Sequence, residues 1–386
     1  MNNVPQGRPV IFMSAAEASG DLHAANLIDA IRSKVPDARF IGAAGPRMQS
    51  AGCECLIDLT ANATMLAGPA LRPVYYIRAV RMLQRAIREI RPDVLVPVDS
   101  PALNWHLAKA AKQAGIKVMY YIAPQVWGWA AWRVRKLASL TDRVACILPF
   151  EQRYLSDRGV EAEFVGHPLF DHIPPRPDPP ADLPQAWAEG RWKVALLPGS
   201  RGGEIRRHVD DMLQIAKAIR RRWPKAEFRF PMARAQDVDI LTKYARGQNL
   251  HIEVARTPEV LAESHFALVK SGTITLEAAY YGVPMVILYR TSAMMWALHK
   301  LLGRWLLNTP HLSLVNILAG RRLVPEFMPW QGSAGPLVRM TLEVMDDLGW
   351  LFETRQALMD LTDSLCAPNG ALACDNAARL VIELLK

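Results

Sequence analysis

Short apolar runs alternate along this chain with longer stretches whose apolar positions recur at helical spacing. The runs lie at 9–14, 39–43, 94–98, 118–122 and 144–148, and again at 193–197, 228–231, 252–254, 266–270 and 284–289. Between them, sets such as Leu22, Leu27, Ile28 and Ile31 fall on one face of a helix. Strands alternating with helices at this interval predict an α/β protein with parallel, doubly wound sheets. The stretch 172–184, HIPPRPDPPADLP, carries too many prolines for a helix or a central strand and reads as a linker. A chain of 386 residues also exceeds what one hydrophobic core usually supports. The expected division is a first domain over 1–173, a linker over 174–190 and a second α/β domain over 191–345. Two terminal helices are expected within 346–386.

Each expected domain has strand ends that carry candidate chemistry. In FALVKSGTITLEAAYYGVP, 266–284, a strand ends in Ser271-Gly272-Thr273 and a helix follows at once. Such a turn points unpaired backbone N–H groups and the positive end of the helix dipole at whatever lies above it. Ser271 and Thr273 add hydroxyls and Gly272 allows close approach, so the natural occupant is a phosphate or diphosphate. Glu277, one turn on, either accepts hydrogen bonds from a sugar diol or merely complements the dipole, worth about 0.3–1 kcal/mol. A second glycine-rich turn, PGSRGGE at 198–204, opens another helix and sets Ser200 and Arg201 at its mouth; Arg201 suits bidentate pairing with phosphate oxygens. In the first domain, AAEASGDLHAANLIDAI follows the first strand. Ser19 and Asp21 fit helix capping and ligand contact equally, while Glu17 has less structural reason to be there. Asp99, closing the strand at 94–98, is either an N-cap or a reactive carboxylate at the crevice of an open sheet.

Charge narrows the partners. The formal net charge of +9 favours an anionic partner. Arg78, Arg81, Arg85 and Arg88 share one helical face, with Ile77, Leu83, Ile87 and Ile90 largely away from it, and an apolar segment with Met65, Leu66 and Leu71 lies just ahead. This pattern suits an anionic membrane surface and also a core-packed helix with a solvated basic face. The segment 294–307, MMWALHKLLGRWLL, fits a membrane-facing or dimer-facing helix as well as a buried one. No nucleic-acid partner is expected, because the basic residues accompany apolar loops rather than stacking aromatics. Cys53, Cys55, Cys146, Cys366 and Cys374 show no C-x-x-C spacing and read as reduced thiols of a cytosolic protein. The polar start MNNVPQGRP reads as no signal peptide, and no run of about 20 apolar residues suggests a membrane span. Asp237-Val238-Asp239 lacks companion carboxylates, so no metal site is expected. Dinucleotide, P-loop and nucleophile-elbow motifs are absent.

The stretches SAAEASGDLHAANLI, GAAGPRM, VDSPALN, APQVWGW, LPFE, FVGHPLFD, LLPGSRGGEI, KSGTITLEAAYYGVPMV and SLVNILAGR, in this order, resemble the lipid-A-disaccharide synthase family. The resemblance implies a GT-B fold, two Rossmann-like domains whose sheets face across a cleft. It implies an inverting transfer, without metal or cofactor. UDP-diacylglucosamine would give its sugar to the 6-hydroxyl of diacylglucosamine 1-phosphate, forming a β-1,6 disaccharide. By motif it implies catalytic roles for Asp99 and Glu17, with Ser19, Gly20 and Asp21 in a facing substrate loop. Arg201, Ser200, Ser271, Gly272, Thr273 and Glu277 match the UDP site, and Asn316 and Arg321 match a segment completing the substrate site. It further implies a homodimer exchanging C-terminal parts, peripheral on the cytoplasmic face of the inner membrane. Two departures mark this chain: MLAGPAL stands where the family usually has Met-Gly and a Glu-Val-Leu run, and Leu103 where it has phenylalanine. The competing readings are another UDP-sugar transferase or epimerase of this fold, and a non-catalytic paralogue that holds nucleotide or anionic lipid.

Overall fold

The computed structural model describes residues 8–60, 73–128, 131–178, 183–232, 235–244, 251–306 and 309–386. The chain forms two compact units, one of Met1–His172 with Leu365–Lys386 and the other of Ile173–Ser364.

The first unit is built on seven parallel strands: β1 (Val10–Ser14), β2 (Arg39–Ala43), β3 (Cys53–Ile57), β4 (Val94–Pro97), β5 (Lys117–Tyr121), β6 (Arg143–Cys146) and β7 (Ala162–Phe164). Their order is β3-β2-β1-β4-β5-β6-β7, so the topology reverses between β1 and β4. The central strands are apolar throughout because helices cover both faces of a parallel sheet. On one face Phe12, Ile41 and Leu95 pack with Leu83 and Ile87 of the helix Pro73–Ile90 and with Leu103 and Leu107 of the helix Pro101–Gln113. On the other, Ile11, Met13 and Val96 pack with Leu27, Ile28 and Ile31 of the helix Ala18–Lys34.

The second unit is a six-stranded parallel sheet of order β10-β9-β8-β11-β12-β13. Its strands are β8 (Lys193–Leu197), β9 (Glu227–Met232), β10 (His251–Val254), β11 (Phe266–Lys270), β12 (Met285–Arg290) and β13 (Glu326–Trp330). Here the order reverses between β8 and β11.

Three expectations need correction. The stretch 174–190 is not a bare linker, because Leu183–Ala188 is helical and puts Leu183 and Trp187 into the core of the second unit. Leu183, Ala186 and Trp187 recur at i, i+3 and i+4, which buries one face of a single turn. The two terminal helices also part company: Leu348–Asp363 stays with the second unit, while Ala373–Leu384 completes the core of the first through Ala377, Leu380 and Val381. Asp171 seats that last helix, accepting from the backbone N–H groups of Ala373 at 2.7 Å and Cys374 at 3.0 Å. Ile77, grouped above with the apolar positions away from the arginine face, is 48% exposed, because Ala79, Val80, Leu83 and Ile87 form the face that meets the sheet.

Candidate functional sites at the two switch points

In an open α/β sheet the crevice at the carboxyl ends of the strands, where the order reverses, is the place for a ligand. Both switch points carry residues singled out above.

In the first unit β4 runs out at Val98 and turns sharply. Asp99 and Ser100 both adopt left-handed backbone, with φ of 48° and 44°. For residues with a Cβ this costs of order 1–3 kcal/mol each and persists only where the surroundings enforce it. The enforcement is visible. Asn104, fully buried in the second turn of Pro101–Gln113, donates to the carbonyls of Val98 at 3.2 Å and Asp99 at 2.6 Å. Its Oδ1 accepts from the Ser14 hydroxyl at 2.5 Å, which ties the clamp to the end of β1. The Tyr120 hydroxyl donates to the same Asp99 carbonyl at 2.7 Å. With its carbonyl held, Asp99 keeps its carboxyl half-buried. Burial pushes that carboxyl up, the Ser100 N–H draws it down, and the charge of Glu17 raises it again. The net shift is upward, towards the range of a working base.

Glu17 is exposed at the start of Ala18–Lys34 and makes no capping bond with its side chain. Ser19 is exposed beside it. Gly20 lies against the end of β4: a Cβ there would sit 3.7 Å from the Val98 carbonyl oxygen. Asp21 anchors a neighbouring turn. It is 2% exposed, and its carboxylate accepts from the backbone N–H groups of Arg47 at 2.9 Å and Met48 at 3.1 Å. The GAAGPRM turn is therefore anchored to the SGD turn, and a Cβ at Gly45 would collide with the Asp21 carboxyl carbon at 2.5 Å. Two further motifs also explain each other. Glu151 of LPFE is buried and accepts from Trp127 Nε1 of APQVWGW at 2.7 Å and from the N–H groups of Ile147 and Leu148. Burial pushes its carboxyl up to about 7 against the pull of those donors.

In the second unit the turns after β8 and β11 lie at the switch point. Arg201 precedes the 21-residue helix Gly202–Arg222, and its side chain is 63% exposed. Ser271 is half-buried, while Gly272 and Thr273 are exposed at the turn leading to Ile274–Tyr280. Glu277 is half-buried in that helix, and burial raises its carboxyl. Asn316 is fully buried and its amide is used within the unit. It donates to the carbonyl of Val324 at 2.9 Å and to Glu326 at 3.0 Å, and accepts from the Val324 N–H at 3.0 Å. Arg321 in the same motif is exposed. Met65, Leu66 and Leu71 lie outside the described residues.

Several residues around the candidate sites escaped the sequence reading. Lys270 closes β11 and its ammonium lies 3.0 Å from Glu204 Oε1, joining the two turns. Buried His208 accepts from the Arg290 N–H through Nε2 at 3.0 Å, so Nδ1 carries the proton and donates to the Glu204 carbonyl at 2.8 Å. Arg290 in turn grips Asp211 with two nitrogens and donates to the Gly332 carbonyl. A signal existed for Lys270 and Arg290, each a cation ending an otherwise apolar strand, and for Asn104, a polar residue on a helix face otherwise destined for the core.

Two units, each a doubly wound parallel α/β sheet, have the architecture of the GT-B fold shared by glycosyltransferases and nucleotide-sugar epimerases. Within that class the family model for lipid-A-disaccharide synthetase matches residues 11–348, and the chain belongs to this family of glycosyltransferases. A lipid-A-disaccharide synthase of Anaeromyxobacter sp. (strain K) is 40% identical over 343 residues, 88% of each chain. One of Geobacter metallireducens is 37% identical over 391 residues, covering 100% of this chain and 99% of its own. A solved putative UDP-N-acetylglucosamine 2-epimerase from Listeria monocytogenes shares the fold with a TM-score of 0.60. It is 12% identical over 98% of this chain and 95% of its own.

Proposed function

We propose that the chain transfers a diacylated glucosamine from UDP to the 6-hydroxyl of diacylglucosamine 1-phosphate, with Asp99 as general base. The observation that carries this reading is that the family match, residues 11–348, spans both switch-point loops. A primary hydroxyl is a poor nucleophile until a positioned carboxylate accepts its proton as the new bond forms. Asp99 has the constrained backbone and raised carboxyl that such a role needs, and Glu17 adds charge beside it. Arg201 with the turns at Ser200 and Ser271-Gly272-Thr273 takes the diphosphate, offsetting the charge that develops on departing UDP. Asn316 acts at one remove, by fixing the turn that carries Arg321. UDP release should require UDP-diacylglucosamine and diacylglucosamine 1-phosphate together, and should survive EDTA. Equal release with the acceptor omitted, or none from the complete mixture, overturns the reading.

The helix Pro73–Ile90 supports contact with an anionic membrane. Arg78, Arg81, Arg85 and Arg88 are exposed, and Val74, Tyr75, Ile77 and Met82 are exposed around them, at 60%, 39%, 48% and 41%. Apolar side chains beside a basic stripe suit the headgroup boundary, where each Lys or Arg contributes about 1 kcal/mol. No helix among the described residues is long and apolar enough to cross a membrane. Sedimentation with anionic vesicles should weaken in high salt and when Arg78, Arg81 and Arg85 are changed to Ser. Sedimentation indifferent to both treatments counts against the proposal.

A further inference from the structure

The turn after β8 already holds an anion, and it belongs to the protein. Glu204 Oε1 accepts from Lys270 Nζ at 3.0 Å and from Arg201 at 3.4 Å, and Oε2 accepts from the Ser200 N–H at 3.2 Å. These are an ammonium, a guanidinium and a backbone N–H converging on one carboxylate, the donor set that a diphosphate oxygen seeks. The contact is tight enough to dictate the residue before it. Gly199 has a φ of 124°, and a Cβ there would lie 2.6 Å from Glu204 Oε2. Lys270 also leans over the other turn, with Nζ 3.6 Å from where a Cβ of Gly272 would stand. The side chains of Lys270 and Glu204 are 15% and 21% exposed, so the pair sits at the mouth of the turns with little water around it. Burial would raise the Glu204 carboxyl, but Lys270, the Ser200 N–H and Arg201 outweigh it and keep it ionised.

We propose that Glu204 is the resident counter-ion of the diphosphate subsite and that Lys270 is a diphosphate ligand which Glu204 releases by exchange. This rests on the reading of these turns as the UDP site. An incoming diphosphate takes over the Lys270 ammonium and the Arg201 guanidinium, and when UDP leaves the carboxylate returns. The exchange keeps both cations neutralised in the empty site and weakens the hold on product, because UDP must displace a competitor already in place.

Calorimetric titration of the full chain with UDP and with uridine tests this. Lys270→Met should weaken UDP binding about tenfold and leave uridine unchanged, since only the charged contact is lost. Glu204→Gln keeps the side-chain shape and should tighten UDP several-fold. In the double variant Glu204→Gln should gain less than it does alone, because the Lys270 contact it would free is gone and only Arg201 is left to release. If wild type binds UDP and Lys270→Met binds it equally well, or loses uridine in parallel, Lys270 is not a diphosphate ligand. If Glu204→Gln weakens UDP while melting at the wild-type temperature, the carboxylate helps binding and is no competitor. Failure of wild type to bind UDP removes the nucleotide reading itself, and the proposal with it.

Discussion

Asp99→Asn is expected to lower kcat by about 10²–10⁴ while UDP affinity and the thermal midpoint stay near wild type. The amide keeps the side chain's shape and leaves untouched the backbone carbonyl that Asn104 and Tyr120 hold, so the left-handed turn survives. What disappears is the group proposed to accept the acceptor's proton. UDP affinity should be spared because the residues proposed to bind UDP belong to the other unit. The pH profile supplies a second reading. Burial lifts the Asp99 carboxyl above the ordinary aspartate range and the Glu17 charge adds to this. The base works only when ionised, so wild-type kcat should fall as pH drops through that raised value, earlier than for a solvent-exposed aspartate. Asp99→Asn should flatten this limb, and Glu17→Gln should move it to lower pH by removing a neighbouring negative charge. Near-normal turnover in Asp99→Asn together with loss in Glu17→Gln would exchange the two roles.

Asn104→Leu should cost about 10²-fold in kcat, the scale of a displacement of about 1 Å at a reacting group. Leucine nearly matches the asparagine in size but cannot donate to the Val98 and Asp99 carbonyls or accept from Ser14. Freed of one of its two side-chain restraints, the strained turn relaxes and carries the carboxylate away from its working position. Buried groups left without partners cost about 1–3 kcal/mol each, so a lower thermal midpoint accompanies the loss. Tyr120→Phe removes the other donor to the Asp99 carbonyl while keeping the ring, and should move kcat the same way with a smaller loss of stability. Unchanged UDP affinity beside a fallen kcat marks a positioning role. If both variants turn over normally, or if UDP affinity falls in step with kcat, the clamp does not serve the base.

The sequence is most readable where burial is complete. Strands β1, β2, β4, β5, β8 and β11 lie inside their sheets, covered by helices, and so show as uninterrupted apolar runs. Of the four edge strands, whose side chains are largely exposed or half-buried, β3, β7 and β13 went unread and only β10, with Ile252 and Val254, showed as a short run. With one neighbour and little cover, Cys53–Ile57 needs no apolar run at all. The site residues divide along a similar line. Asp99, Glu17, Arg201 and the SGT turn stand next to strand ends, and the strand pattern marks those ends. Asn104, Tyr120, Lys270 and Glu204 matter through partners distant in sequence, such as Ser14 for Asn104 and Lys270 for Glu204.

By itself, then, the sequence determined the two α/β units, the order of their central strands along the chain and the strand-end turns that are candidates for the site. All of these follow from local periodicity and turn residues. Only the tertiary structure decided that Asp21 and Asp171 act as anchors, their carboxylates accepting from backbone N–H groups of residues 26 or more positions away. It alone returned Ala373–Leu384 to the first unit, because that helix's apolar face could have covered either sheet and its cap, Asp171, lies 202 residues back. Periodicity says which face of an element is buried; what lies against that face is set by contacts across the chain that no local pattern records.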